Sequence, residues 1–193
     1  MASSWLQHVN VKVHARVAAL DLAPAIDVFH RWIQNEYGDH LLFDVADYRH
    51  VPAGPGVILV AHEAIYGLDE SGHQLGLHYN RRTEEQGEPQ RVISAALQQA
   101  LAACVQLEAE PEFEGTLAFN GGVVEVSVND RSVAANDDAA AARMLAELSP
   151  VLQRAFGDGY QVDRLGERRD RLGFVSRAAQ ELSASVVLQR LGA

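Results

Sequence analysis

His62 and Glu63 have the setting most suggestive of chemistry. They stand side by side in VILVAHEAIY (57–66), where every other residue is apolar or tyrosine. On an extended strand, successive side chains point to opposite faces. His62 then shares a face with Ile58, Val60, Ala64 and Tyr66, and Glu63 shares the other with Val57, Leu59, Ala61 and Ile65. An interior strand with both faces apolar buries at least one of the pair. A buried carboxylate must find a partner or rise in pKa. A hairpin through Asp69-Glu70-Ser71-Gly72 into HQLGLHYNRR (73–82) sets Glu63 near His78, and His62 near Tyr79 or Arg81. Such a pairing is either a structural ion pair or a tuned acid/base pair. Glu63, His62 and His78 are therefore the candidate catalytic residues. Tyr48, His50, Tyr66 and Arg81 are the candidate binding residues around them.

The same stretch, from Leu41 to Arg82, carries four of the eight histidines: His50, His62, His73 and His78. Imidazoles with a carboxylate suit zinc or iron. Yet His62-Glu63 lacks the second histidine four residues on that a helical HExxH supplies, and neighbouring strand residues diverge. No metal and no cofactor is expected. The chain has no GxxxxGK[ST], no GxGxxG after a strand and no GxSxG. The glycines of PAGPG (52–56) are spaced for a turn. Cys104 lies on the apolar side of a helix without a CxxC motif or basic neighbour, so it reads as a core residue.

The elements that must position these residues are legible from periodicity. VNVKVHARV (9–17) alternates as a half-exposed strand, with Val9, Val11, Val13 and Ala15 inward and Asn10, Lys12 and His14 toward solvent. A helix follows from Asp21 to Gly38, with Leu22, Ile26, Phe29 and Ile33 as its buried stripe. LLFDVADYRHV, VILVAHEAIY and HQLGLHYNRR make a three-stranded meander. Pro89 to Glu108 is a long helix rich in alanine. EAEPEFEG (108–115) is the best internal boundary. TLAFN, Gly121-Gly122 and VVEVSVN suggest a second hairpin, and Asn129-Asp130-Arg131 a turn. Asn136 caps the next helix, and Ser149-Pro150 either kinks it or starts a second helix to Phe156. YQVDRL and LGFVSRA are two strands, and ELSASVVLQRL is the closing helix.

Composition sets outer limits. With 193 residues, 48% of them hydrophobic and 22% charged, the chain suits one compact α+β domain, an antiparallel sheet with helices packed mainly on one face. A formal net charge of −10 argues against nucleic acid as a partner. The arginine-rich DRLGERRDR (163–171) reads as a solvated hairpin. No long uninterrupted apolar run signals a membrane span, and a lone cysteine suits the cytoplasm.

Two halves, 1–110 and 111–193, share an order of elements. Tyr37-Gly38-Asp39-His40-Leu41-Leu42-Phe43-Asp44 echoes Phe156-Gly157-Asp158-Gly159-Tyr160-Gln161-Val162-Asp163. If this marks a duplication of β-α-β-β modules, a cleft between the modules is the natural ligand site. On DVADYRHVPAGPGVILVAHE (44–63), FHRWIQ (29–34) and VNDR (128–131), the chain resembles a family of uncharacterised bacterial cytosolic proteins. That resemblance implies a single architecture and transfers no catalytic residue. At fold level alone, the arrangement is similar to the duplicated small-molecule-binding modules of gyrase-inhibitor-like proteins. The expected function is a non-enzymatic module binding a small molecule or a protein partner. A homodimer through Val57 to Tyr66 or the alanine-rich helix is part of that expectation. The alternative is a small hydrolase or isomerase using Glu63 with a nearby histidine.

Overall fold

A computed structural model describes residues 5–129, 134–167 and 169–192. The first half runs β1 (Val9–Ala15), α1 (Pro24–Gln34), β2 (Leu42–Tyr48), β3 (Gly56–Ala61), β4 (Ala64–Asp69), β5 (Gly76–Arg81) and α2 (Pro89–Ala109). The second runs β6 (Phe119–Val128), α3 (Asp138–Phe156), β7 (Gln161–Arg164), β8 (Gly173–Arg177) and α4 (Ala184–Gly192). All eight strands join one antiparallel sheet in the order β2-β3-β4-β5-β1-β6-β8-β7. This is the expected α+β architecture.

The core follows from alternation. Val9, Val11 and Val13 of β1, Leu77 and Tyr79 of β5, and Val124 and Val126 of β6 are fully or almost fully buried on the face that α2 covers. α1 lies over β2 and β3, α4 lies over β6, and α3 packs on α2 and α4. α2 is long and apolar enough by composition to cross a bilayer, but here its apolar side is core, including Ile93, Leu97, Leu101 and Cys104. The Cys104 thiol is pushed up by burial, which leaves it inert.

The largest departure from expectation is at VILVAHEAIY. It is not one interior strand but a tight hairpin: β3 ends at Ala61, His62 and Glu63 form the turn, and β4 begins at Ala64. The physical reason is polarity. A turn lets both side chains reach water, whereas a continuous strand would bury one of them. The meander thus has four strands, β2 to β5. In the hairpin Val57, Leu59 and Tyr66 are buried, while Ile58, Val60 and Ile65 on the other face are part-buried.

Two glycines expected in a turn instead lie inside β6, which runs unbroken from Phe119 to Val128. A Cβ on Gly121 would stand 2.6 Å from the Ser183 carbonyl oxygen and 2.8 Å from Ala184 backbone. The glycine admits the start of α4 against the strand. α3 runs through Pro150 as one helix, and its cap is Asp137, whose carboxylate accepts from the Ala140 amide. Asn136 instead holds the β7–β8 link: its Nδ2 donates to the Glu167 carbonyl at 2.8 Å and its Oδ1 accepts from Arg164. The expected turn at 129–131 lies largely outside the described residues.

The segment after α2 is no loose linker. Trp32 Nε1 donates to Glu110 Oε1 at 2.7 Å, Gln106 donates to the same oxygen at 2.9 Å, and Arg31 donates to Oε2 at 2.6 Å. Burial alone would raise the Glu110 pKa, but these three donors hold it below the usual carboxylate range. One carboxylate thereby ties α1 to the end of α2.

Candidate functional site

At one end of the sheet, six chain segments converge: the start of β1, the α1–β2 link, the β3–β4 turn, the end of β5, the β5–α2 link and α2. Between them is a hollow of about 260 Å³ walled by His40, Glu63, Tyr79, Arg81, Glu85 and Gln99. A smaller hollow of about 130 Å³ adjoins it, sharing His40 and Gln99 and reaching Trp32, Tyr37 and Tyr66. Three features of the sequence place these groups. Tyr66 and Tyr79 occupy inward positions on adjacent strands, directly paired in register. Glu63 caps the hairpin above them. Gln99 interrupts the apolar side of α2.

The centre of the site is the Tyr66 hydroxyl, which meets His40 Nδ1 at 2.8 Å and donates to Gln99 Oε1 at 3.2 Å. With the phenol proton on Gln99, His40 donates from Nδ1 and keeps Nε2 as an acceptor. The aromatic rings close around this pair. Tyr66 and Tyr79 meet edge-on with centroids 5.2 Å apart, and His40 stacks on Tyr79 at 6.2 Å. Burial pushes the Tyr66 and Tyr79 phenols up, so both stay protonated at neutral pH. Burial also lowers His40, against the pull of Glu63 and with the help of Arg81, so its imidazole is neutral.

The rim is charged. Arg81 pairs with Glu85 at 2.9 Å and donates from Nε to the Thr83 carbonyl. Glu63 accepts from the Leu41 amide at 3.2 Å. Partial burial would raise this carboxyl, but the Glu63 and Leu41 amides, with His40 and His62 nearby, bring it below its ordinary value. It is a fixed anion at neutral pH rather than a tuned acid.

Of the seven residues singled out from sequence, Glu63, Tyr66 and Arg81 come together here. The others do not. His62 is beside Glu63 at 3.5 Å, but its side chain is 67% exposed at the tip of the turn. The expected Glu63–His78 pairing is absent: His78 pairs in register with Gly67 and Lys12, on the sheet face turned away from the helices. Tyr48, the last residue of β2, and His50, two residues past it, lie exposed with their rings 6.2 Å apart. Among the described residues, no three His, Cys, Asp or Glu side chains are grouped to hold a metal ion.

His40, Tyr79, Glu85 and Gln99 complete the site without having been selected. Tyr79 carried a usable signal, since it alternates with the same inward face as Leu75 and Leu77. His40 and Gln99 carried none, because a loop residue and one glutamine on a long helix acquire meaning only when the helix docks. No family model, curated protein or solved structure matches the chain.

Proposed function

We propose that the protein is a binding module for a small molecule, held in the hollow between β4, β5 and α2 without being chemically changed. The observation that supports this reading is the Gln99–Tyr66–His40 hydrogen-bonded chain set in the wall of an aromatic hollow with a charged rim. Pockets of this kind combine apolar walls with a few orienting polar groups. The ligand has a flat face to lie against His40 and Tyr79 and a polar group within reach of Arg81 or Glu63. A formal charge of −10 weighs against nucleic acid. The single, buried Cys104 fits a cytosolic setting. Gly38 and Gly157 share left-handed φ values of 73° and 80° and precede the two edge strands β2 and β7, which supports a duplication of the halves.

A fragment screen by thermal unfolding tests the reading. Planar, polar fragments should raise the melting temperature of the natural protein, and Gln99→Leu should weaken each hit at least tenfold. Hits that bind Gln99→Leu unchanged would place the ligand elsewhere.

One observation favours a catalytic reading: Glu63, ionised, and His40, neutral with Nε2 free to accept, wall the same hollow. Both are proton acceptors, so a hydrolase or isomerase built on this hollow would use Glu63 or His40 as its general base. Turnover of p-nitrophenyl esters or phosphates that vanishes in Glu63→Gln, with melting unchanged, would select the enzyme. Ligand binding without turnover would select the module.

A further inference from the structure

The opposite face of the sheet carries a second polar hollow, of about 190 Å³, at the junction where β1 of the first half pairs with β6 of the second. Its floor is two cross-strand rows. Asn10 stands between Asn80 and Ser127, and Lys12 stands between His78 and Glu125. Ser71 and Arg171 reach it from the β4–β5 and β7–β8 links. These positions were expected to be solvated. Instead Asn10 is 2% exposed and Lys12 is 6% exposed.

Most of the floor is internally matched. Lys12 Nζ pairs with Asp69 and donates to the Ser71 carbonyl at 2.8 Å. His14 Nε2 meets Glu125 Oε1 at 2.7 Å, and that bond, ahead of the cost of burial, holds Glu125 below the ordinary carboxylate range. Asn10 is the exception. Among the described residues, neither its Oδ1 nor its Nδ2 has a hydrogen-bond partner, although both atoms are buried. A buried amide with both ends unmet is costly in a native fold unless something occupies the space before it.

The charges define that occupant. Lys12 offsets Asp69, and Arg171 offsets Glu125, so the hollow has both signs and no formal excess. A lone anion would meet Glu125, and a lone cation would meet Arg171. The orphaned amide offers one donor and one acceptor side by side. We infer that this hollow is a second ligand site, taking a small zwitterion of the α-amino-acid class. Its carboxylate meets Arg171 and Asn10 Nδ2, while its ammonium meets Glu125 and Asn10 Oδ1. The volume is below the roughly 300 Å³ at which pockets for drug-sized ligands begin, which favours a ligand with few heavy atoms. The site is independent of the helix-side hollow, since the sheet separates them.

Titration calorimetry and thermal unfolding of the full chain at neutral pH test the assignment, with the standard amino acids offered singly beside propionate and propylamine. At least one amino acid should bind tenfold or more tightly than either singly charged compound. Asn10→Leu should raise the melting temperature, because it removes the unmet amide, and weaken that binding at least tenfold. Arg171→Gln, an exposed change that leaves the core untouched, should also weaken it at least tenfold. Gln99→Leu should leave it unchanged. The assignment is overturned if no amino acid binds, if propionate or propylamine binds equally well, or if Arg171→Gln binds as tightly as the natural protein.

Discussion

Single side chains at buried contacts give the sharpest expectations. Tyr66→Phe removes the hydroxyl that joins His40 to Gln99, and should cost about 1–2 kcal/mol in chemical denaturation, because two buried polar groups lose a partner at once. His62→Ala should change neither stability nor ligand binding, although His62 stands next to Glu63 in the chain. Glu110→Ala should cost about 2 kcal/mol from orphaning Trp32 Nε1 alone. Its pH dependence has a definite sign. The folded-state pKa of Glu110 lies below its unfolded value, so its stabilising effect is present above the ordinary glutamate range, about 4.3, and is lost as pH falls through the folded value. The gap in stability between natural protein and Glu110→Ala should therefore narrow in acid. A gap that stays constant down to pH 3 would remove Glu110 from this role. His40 is also lowered, but as a base: below about pH 6.5 the unfolded chain takes up the proton first. Its contribution is present above that pH and lost on acidification, and proton NMR should show His40 titrating below the ordinary histidine value of about 6.5.

Elements obey their local sequence except where another element intrudes. β6 contains Gly121-Gly122, a pair that in isolation signals a turn, yet the strand continues through them with a register shift against β1 between Val124 and Phe119, and α4 occupies the space a side chain would fill. Gly121→Ala should destabilise by about 1–3 kcal/mol, the usual cost of overpacking. It should also lower amide-exchange protection in α4 more than in α1. Equal loss in both helices would show that the glycine serves the strand rather than the docked helix. The β3–β4 hairpin makes the complementary point. Its sequence is apolar enough to read as one buried strand, and the two polar residues that looked anomalous are its turn.

For the whole molecule, the order of strands matters most. β1 and β6 begin the two halves and pair with each other inside one sheet, so either half alone would expose the unpaired edge of its first strand. Unfolding should accordingly be a single cooperative transition. Fluorescence from Trp5 and Trp32, both in the first half, should follow the same curve as far-ultraviolet circular dichroism. Two separated transitions would show that the halves are independent. The sequence by itself determined the α+β class, the alternation of β1, the limits of α2 and the core role of Cys104. These rest on periodicity and turn chemistry, which act over a few residues. Only the tertiary structure decided that Glu63 faces His40 rather than His78, and that Gln99 meets Tyr66. It also decided that Asn10 is buried beside Glu125 and Arg171. Each depends on strand register or helix docking, which join residues far apart in the chain and leave no local pattern to read.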